Sequence, residues 1–292
     1  KIWKQAETNK KDKKMRGMIS VSRKLKLYNQ PTIRKIFKDV HTATGGNIKL
    51  FIAGGAAINP RVIEDFEAMG FPMIQGYGMT ECAPIIAVNK DRYSKAASAG
   101  FPMPGTEVKI IEDDENGIGE IICRGESVML GYFGDSEETD KVLKNGWLHT
   151  GDYGYFDKEG FLYISGRKKN VIITKNGKNI FPEEVEYYLT GSPYIEEVLV
   201  HGVDDEKSND IIVKAEIYPD YDFIQEEMGS MTSEEVRAFI KTLLDDINEQ
   251  MPLYKRVKRF TIRATEFEKT TTRKIKRFTK GNLSEGENTY VK

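Results

Sequence analysis

Several short stretches of this sequence gather residue types that can do chemistry. "GYGMTE" (Gly76 to Glu81) packs two glycines, an aromatic ring, a hydroxyl and a carboxylate into one turn after a short apolar run. Upstream lies "AGGA" (Ala53 to Ala56). Downstream, "GWLHTGD" ends in Asp152, "SGRKKN" holds Arg167 and Lys169, "TKNGKN" is an Asn-Gly turn between lysines, and "TTTRKIKR" carries Lys274 and Lys276. A dinucleotide fingerprint is excluded at "GYGMTE", because Glu81 stands where the third glycine belongs and Pro84 follows at once. Taken singly, each of the others has an ordinary meaning: a glycine turn after a strand, a solvated Asp, a hairpin tip or a charged surface.

The elements that must position these residues can be read from periodicity. From Met15 to about Val40 apolar residues fall at helical spacing between basic ones, predicting an amphipathic helix pair interrupted at Pro31. The basic opening "KIWKQAETNKKDKKMRG" reads as the exposed start of that helical region. "IKLFIAGGA" is a buried strand running into glycines. "NPRVIEDFEAMG" is a helix with Asn59 as N-cap, Pro60 at its first position and Gly70 closing it, and "FPMIQGYG" is the next strand. Strand, helix and strand make a βαβ unit with parallel pairing.

After about Ala97, "TEVKII", "GEIICRG" and "GYFDKEGFLYISGR" are short runs broken by Gly and Asp turns, predicting antiparallel hairpins in a small β subdomain. Beyond Gly166 come a hairpin, "VIITKNGKNIF", a helix, "PEEVEYYLTG", strands at "IEEVLVHGV" and "DIIVKAEIY", a helix from Ser233 to about Gln250, and "VKRFTIRA". That alternation makes a separate α+β domain, so the chain divides into residues 1–166 and 167–292.

Lys and Arg total 44 against 45 for Asp and Glu, a net charge of −1 that gives no global attraction to nucleic acid. Any anion site is therefore local. Two cysteines, Cys82 and Cys123, cannot build a disulfide framework, no signal-peptide pattern is present, and no apolar run reaches the length of a membrane span. The expected setting is a reducing cytoplasm, with peripheral membrane contact left open. Oligomeric state leaves no trace in the pattern. His41, His149 and His201 lack any catalytic or metal-binding pattern.

The order, spacing and content of "GYGMTE", "GEIICRGESVMLGYF", "GWLHTGD", "GRKKNVIITKNGKNIFPEEVE" and "TTTRKIKR" resemble the adenylate-forming acyl-CoA synthetase superfamily, which includes firefly luciferase and the adenylation domains of nonribosomal peptide synthetases. Within it the resemblance is closest to the long-chain fatty acid–CoA ligases. It implies an α/β plus α+β fold, in which the end of a large nucleotide-binding domain precedes a small mobile domain. The implied reaction joins a fatty acid carboxylate to the α-phosphate of ATP, with Mg²⁺, and then transfers the acyl group from AMP to coenzyme A.

By the same resemblance, Gly54, Gly55 and Ala56 form one wall of the adenine pocket and Gln75, Gly76, Tyr77 and Gly78 the other, with Tyr77 offering a ring face to the base. Thr80 bonds the phosphate and Glu81 holds Mg²⁺. Asp152 accepts the ribose hydroxyls, and Arg167 reaches ribose or phosphate. Lys169 is the hinge about which the small domain turns, while Gly177 and Lys178 line the coenzyme A channel. Lys274 bridges carboxylate and α-phosphate in the transition state. Two departures accompany it: Arg273 stands where many relatives have glycine, and the proline usual a few residues earlier is missing, which keeps Lys276 as its neighbouring alternative.

The family's phosphate loop, a Ser, Thr and Gly-rich run followed by Pro and Lys, is absent from these residues. "TATGGN" (Thr42 to Asn47) lacks the lysine and sits just before a strand. The expectation is therefore a C-terminal portion that does not turn over by itself. The alternatives are another acyl- or aryl-CoA ligase, an acyl-AMP ligase that loads a carrier protein, or a non-catalytic nucleotide-binding half-protein.

Overall fold

The computed structural model describes residues 12–25, 31–56, 58–91, 93–205, 209–271, 273–279, 281–283 and 289–290. The first eleven residues of the basic opening lie outside these. The chain divides into two compact units, Lys1–Ile164 and Ser165–Lys292.

In the first unit, α1 (Asp12–Lys24), α2 (Pro31–Ile36) and α3 (Lys38–Ala43) lead to β1 (Phe51–Ala53), α4 (Pro60–Ala68) and β2 (Met73–Gly78). The expected second helix is thus two short ones, broken at Phe37, whose ring is buried. Met15, Ile19, Ile33, Phe37, Ala68, Met69 and Phe71 form the core that packs these helices on α4. Helix α4 begins as its sequence dictates: the Asn59 side chain accepts from the Arg61 N–H, Pro60 occupies the first turn, and Gly70 follows the end at φ +84°. Strands β1 and β2 pair in parallel, with Ala53 opposite Gln75.

The parallel pairing stops there. After a 3₁₀ turn at Thr80–Cys82, β3 (Ile85–Val88) returns antiparallel to β2, and β4 (Phe101–Pro102) adds to it, so the sheet is mixed. A second sheet holds β5 (Thr106–Ile111), β6 (Gly119–Gly125), β7 (Leu143–Lys144) and β8 (Trp147–Phe156), antiparallel throughout. Helix α5 (Ser136–Val142) precedes β7, and β9 (Leu162–Arg167) pairs with β8. This is the expected β subdomain, with one short helix that its polar sequence did not advertise.

In the second unit a 3₁₀ turn at Lys168–Asn170 leads into a hairpin of β10 (Ile172–Ile173) and β11 (Asn179–Ile180), then α6 (Pro182–Thr190). Strands β12 (Ile195–Asp205) and β13 (Asp210–Pro219) pair antiparallel. After α7 (Tyr221–Met228) and α8 (Ser233–Asn248), β14 (Val257–Ile262) lies parallel to β13, and β15 (Thr289–Tyr290) closes the edge. Helix α8 starts in a capping box made by Thr232 and Glu235. Val213, Ala215 and Ile217 point from one face of β13 into a core shared with Val185 and Leu189 of α6 and Ile240 and Leu244 of α8. Helix and strand periodicities meet there, as an α+β layer requires.

Candidate active site

The C-terminal ends of β1 and β2 lie side by side, the place where parallel strands leave room for a ligand. β1 runs out into Gly54, Gly55 and Ala56, and a Cβ added to Gly54 would sit 3.8 Å from the Gly76 carbonyl. Gly55 has φ +81° and open space beside its Cα. Gly78 is different: a Cβ there would come within 1.9 Å of the Pro84 carbonyl oxygen. Its smallness is demanded by the chain's own return into β3, not by an outside partner. Gln75 is also engaged internally, since its side-chain amide donates to the Ala96 carbonyl at 2.7 Å.

Tyr77 packs against the cluster of Cys82, Ile86, Cys123 and Leu148 and against that of Ala87, Ile121 and Leu162, and donates its hydroxyl to Asp152 Oδ2 at 2.6 Å. Cys82 and Cys123 meet there as free thiols, their sulfurs 3.4 Å apart. Asp152 is presented by a bulge. Ile122 pairs with His149 but Glu120 with Tyr153, so β8 carries extra residues around Gly151, which has φ +67°. Thr150 fastens the bulge: its hydroxyl donates to the Ile121 carbonyl at 2.7 Å and accepts from the Asp152 N–H at 3.1 Å. Asp152 is left 5% exposed, its carboxylate held by the Tyr77 phenol and its backbone N–H by the Thr150 hydroxyl.

Thr80 is exposed at the start of the 3₁₀ turn, and Ala83 closes that turn in the left-handed region at φ 49°. Glu81 is braced twice from one loop. The Met129 N–H donates to its backbone carbonyl at 2.8 Å, and the Tyr132 hydroxyl donates to its Oε1 at 2.8 Å. Burial, and then the Glu81 carboxylate, push the Tyr132 phenol up to about 12. The Tyr132 N–H is bound in turn by the Thr139 hydroxyl of α5 at 2.9 Å. Sequence reasoning missed Tyr132; the "GYF" run was the signal, but only the fold puts its hydroxyl on Glu81. One carboxylate suits Mg²⁺, which takes one or two protein carboxylates and completes its shell with water and phosphate oxygens. Among the described residues no group of three His, Cys, Asp or Glu side chains forms a separate metal cage.

The second unit carries the remaining candidates. Arg167 and Lys169 are exposed, the first just before the 3₁₀ turn and the second within it, and Lys169 Nζ lies 5.7 Å from the centre of the Phe278 ring. The β10–β11 turn has Gly177 at φ +74° in open space. Its base is closed by the Lys178 N–H donating to the Thr174 hydroxyl at 3.1 Å, and the Lys178 side chain is exposed.

Lys274 stands, exposed, at the end of a tight hairpin turn. The Thr270 N–H donates to its carbonyl at 2.8 Å, and its own N–H donates to the Thr270 hydroxyl at 3.1 Å. Arg273 occupies the left-handed position of this turn at φ 63°, which is why glycine suits it. Lys276 is also exposed, with its N–H on the Glu268 carbonyl at 2.9 Å. His41 is plainly structural, with Nε2 2.9 Å from the Met69 carbonyl and its ring stacked on Phe71.

Two family models match the chain: AMP-binding enzyme over residues 6–133 and AMP-binding enzyme C-terminal domain over residues 169–285. A long-chain-fatty-acid–CoA ligase of Escherichia coli O157:H7 is 34% identical over 70% of this chain and 38% of its own length. An indoleacetate–CoA ligase of Aromatoleum aromaticum is 40% identical over 57% of this chain and 34% of its own. Among solved structures, o-succinylbenzoate CoA synthetase (MenE) of Bacillus subtilis in complex with its acyl-adenylate intermediate matches with a TM-score of 0.68 and 29% identity, over 84% of this chain and 50% of that one. The same enzyme with ATP and magnesium ion matches with a TM-score of 0.65 and 28% identity, over 85% and 49%. The chain thus spans from about a third to a half of the length of these relatives.

Proposed function

We propose that this chain, which belongs to the adenylate-forming, AMP-binding enzyme superfamily, supplies the nucleotide-binding end and the small domain of an AMP-forming long-chain fatty acid–CoA ligase. The observation that carries the reading is the Tyr77–Asp152 hydrogen bond, which joins the end of β2 to β8, with the doubly braced Glu81 four residues further along the chain.

In the proposed reaction a fatty acid carboxylate oxygen attacks the α-phosphorus of ATP, and the bond to pyrophosphate breaks. The coenzyme A thiolate then attacks the acyl carbonyl and AMP leaves. Tyr77, oriented by its bond to Asp152, offers its ring to adenine from the Gln75–Gly78 segment, opposite the Gly54–Ala56 turn. Asp152 accepts ribose hydroxyls, Thr80 donates to phosphate, and Arg167 reaches ribose or phosphate.

Glu81 would hold Mg²⁺, which when bound neutralises phosphate charge. Lys274 places its ammonium where negative charge builds between carboxylate and α-phosphate, a kind of stabilisation worth roughly 3 to 4 kcal/mol. Lys169 is the hinge. Gly177, whose open φ +74° position leaves a side clear, and Lys178 border the path of the coenzyme A arm. The reading places the protein in the cytoplasm and leaves peripheral membrane contact open. Among the described residues no helix is long and apolar enough to cross a membrane.

An aryl substrate is the second reading, supported by the 40% identity to the indoleacetate–CoA ligase. The test is to assay the full-length gene product for pyrophosphate release and thioester formation with palmitate, indoleacetate and o-succinylbenzoate, with coenzyme A or a carrier protein as acceptor. Preference for palmitate and coenzyme A supports the proposal. Preference for an aryl acid selects the second reading, and no pyrophosphate release with any acid removes both.

A further inference from the structure

The loop that carries Lys274 is pinned to β12 by both legs. On the incoming leg, the Phe267 N–H donates to Glu197 Oε2 at 3.0 Å, and Lys269 pairs with the same carboxylate. On the outgoing leg, Arg277 Nη1 donates to the Val200 carbonyl at 3.1 Å while Nη2 binds Glu186 Oε2 of α6. Buried Asn282 ties the two legs together, accepting from the Glu268 N–H at 2.8 Å and donating to the Glu268 and Lys276 carbonyls at 2.9 and 2.8 Å. The hairpin is therefore stiff in itself, and its aim depends on what holds its feet.

The outgoing foot differs in where it leads. Glu186 is fixed from its other oxygen by the Val200 N–H at 2.8 Å, so Glu186 and Arg277 together hold the two backbone polar groups of Val200 in β12. Arg277 also lies 3.6 Å from Glu183 Oε1, which accepts from the Asn170 amide at 2.6 Å. Asn170 ends the 3₁₀ turn that holds Lys169. Room for this arrangement comes from Gly166, where a Cβ would fall 2.5 Å from Glu183 Oε2. A second link runs in parallel, from the Lys169 ammonium to the ring of Phe278. Lys169, Asn170, Arg277 and Phe278 together line one wall of a cleft of about 380 Å³ that His201 and Ile211 help to close.

We propose that Arg277 is a positioning residue for Lys274: through Glu186 and the Val200 carbonyl it sets the aim of the Lys274 loop, and through Glu183 and Asn170 it couples that loop to the turn bearing Lys169. The inference rests on the reading of Lys274 as the adenylation lysine and Lys169 as the hinge. A guanidinium is needed because one planar fork serves the carbonyl and the carboxylate at once, whereas an ammonium offers a single point of charge. Arg277 touches no reacting atom, so its effect is indirect. A change of hinge angle at Lys169 reaches the loop through this network, and loosening the network frees both ends.

The test uses Arg277→Lys, with Glu186→Gln as a second variant that preserves shape should the first fold poorly. Amide hydrogen exchange is followed in the chain described here, at residues 268–276, at 168–171 and at α8 as the control. The expected result is exchange about tenfold faster in both segments and unchanged in α8. Unchanged exchange in residues 268–276, or equal acceleration in α8, overturns the proposal, the latter by reducing Arg277 to general support of the core.

In the full-length product, Arg277→Lys should slow acyl adenylate formation while leaving thioester formation from a preformed adenylate within roughly twofold. Equal loss of both half-reactions also overturns it. If the unaltered protein makes no acyl adenylate, the proposed function falls, and the exchange result still decides whether Arg277 holds the loop.

Discussion

Tyr77 donates its phenolic hydrogen to Asp152 across 2.6 Å, joining a residue of the glycine-rich β2 end to the bulge of β8, 75 positions later in the chain. The bond makes the ring and the carboxylate one unit. Tyr77→Phe keeps the ring and removes the bond, leaving a buried carboxylate short of a donor. A hydrogen bond to a charged group contributes about 1.5 to 3 kcal/mol to stability, so the variant should unfold more easily by roughly that amount. Urea unfolding checks this, and an unchanged midpoint would mean that the phenol does not hold the carboxylate.

Two glycines near this site should respond very differently to a single methyl. Gly78→Ala drives a Cβ to within 1.9 Å of the Pro84 carbonyl and should cost roughly 3 kcal/mol. Gly55→Ala meets nothing within 4 Å and carries only the penalty of its positive φ, about 1 kcal/mol. Urea unfolding of both variants gives the ranking. A reversed order would mean that the return from Gly78 into β3 is not packed as described.

Glu186 makes the stability of the second unit depend on pH. Burial pushes its carboxyl up to about 7 from an ordinary 4.5, against the pull of Arg277. The folded state therefore holds this proton more tightly than the unfolded state. The resulting stability is fully present below about pH 4.5 and is lost as pH rises through about 7. Unfolding midpoints measured across that range should fall less steeply with rising pH in Glu186→Gln than in the unaltered chain. Parallel slopes would show that the group titrates normally.

Arg273 tests the turn that presents Lys274. At φ 63° an L residue is strained, so Arg273→Gly should leave stability within about 0.5 kcal/mol, the relief of strain offsetting the greater freedom of glycine when unfolded. Arg273→Val, with a branched Cβ at the same backbone angle, should cost about 1 to 2 kcal/mol. Thermal unfolding distinguishes them, and a tolerated valine would argue that this turn is not held left-handed.

Lys274→Ala in the full-length product should depress acyl adenylate formation by at least about a hundredfold while thioester formation from a preformed adenylate changes far less. The measurement is single-turnover kinetics of each half-reaction, with Lys276→Ala beside it. If Lys276→Ala gives the larger loss in adenylation, the role belongs to Lys276.

Much of the local architecture was legible because its causes are local. Asn59, Pro60 and Gly70 dictate where α4 starts and stops through capping and backbone φ, and those bounds appear as read. The Asn-Gly pair of "TKNGKN" makes the β10–β11 turn, and the "VIIT" and "NIF" runs supply its strands. The helix from Ser233 needed only its capping box and its periodic Val236, Ile240, Leu244 and Ile247. Helix α5 was missed because its residues are nearly all polar and none is buried, leaving no periodicity to see.

By itself, then, the sequence determined most of the elements, their order and the short motifs, since turn chemistry and periodicity act over a few residues, while α5 and α7 were not read from it. Tertiary structure alone decided which side chains meet: Tyr77 with Asp152, Tyr132 with Glu81, Arg277 with Glu186. Each of those pairs spans 51 to 91 positions, a separation at which residue spacing carries no information about direction. Sheet register, the bulge at Gly151 and the packing of α6 on β12 set the direction instead, because a hydroxyl or guanidinium must arrive within about 3 Å to bond a buried carboxylate.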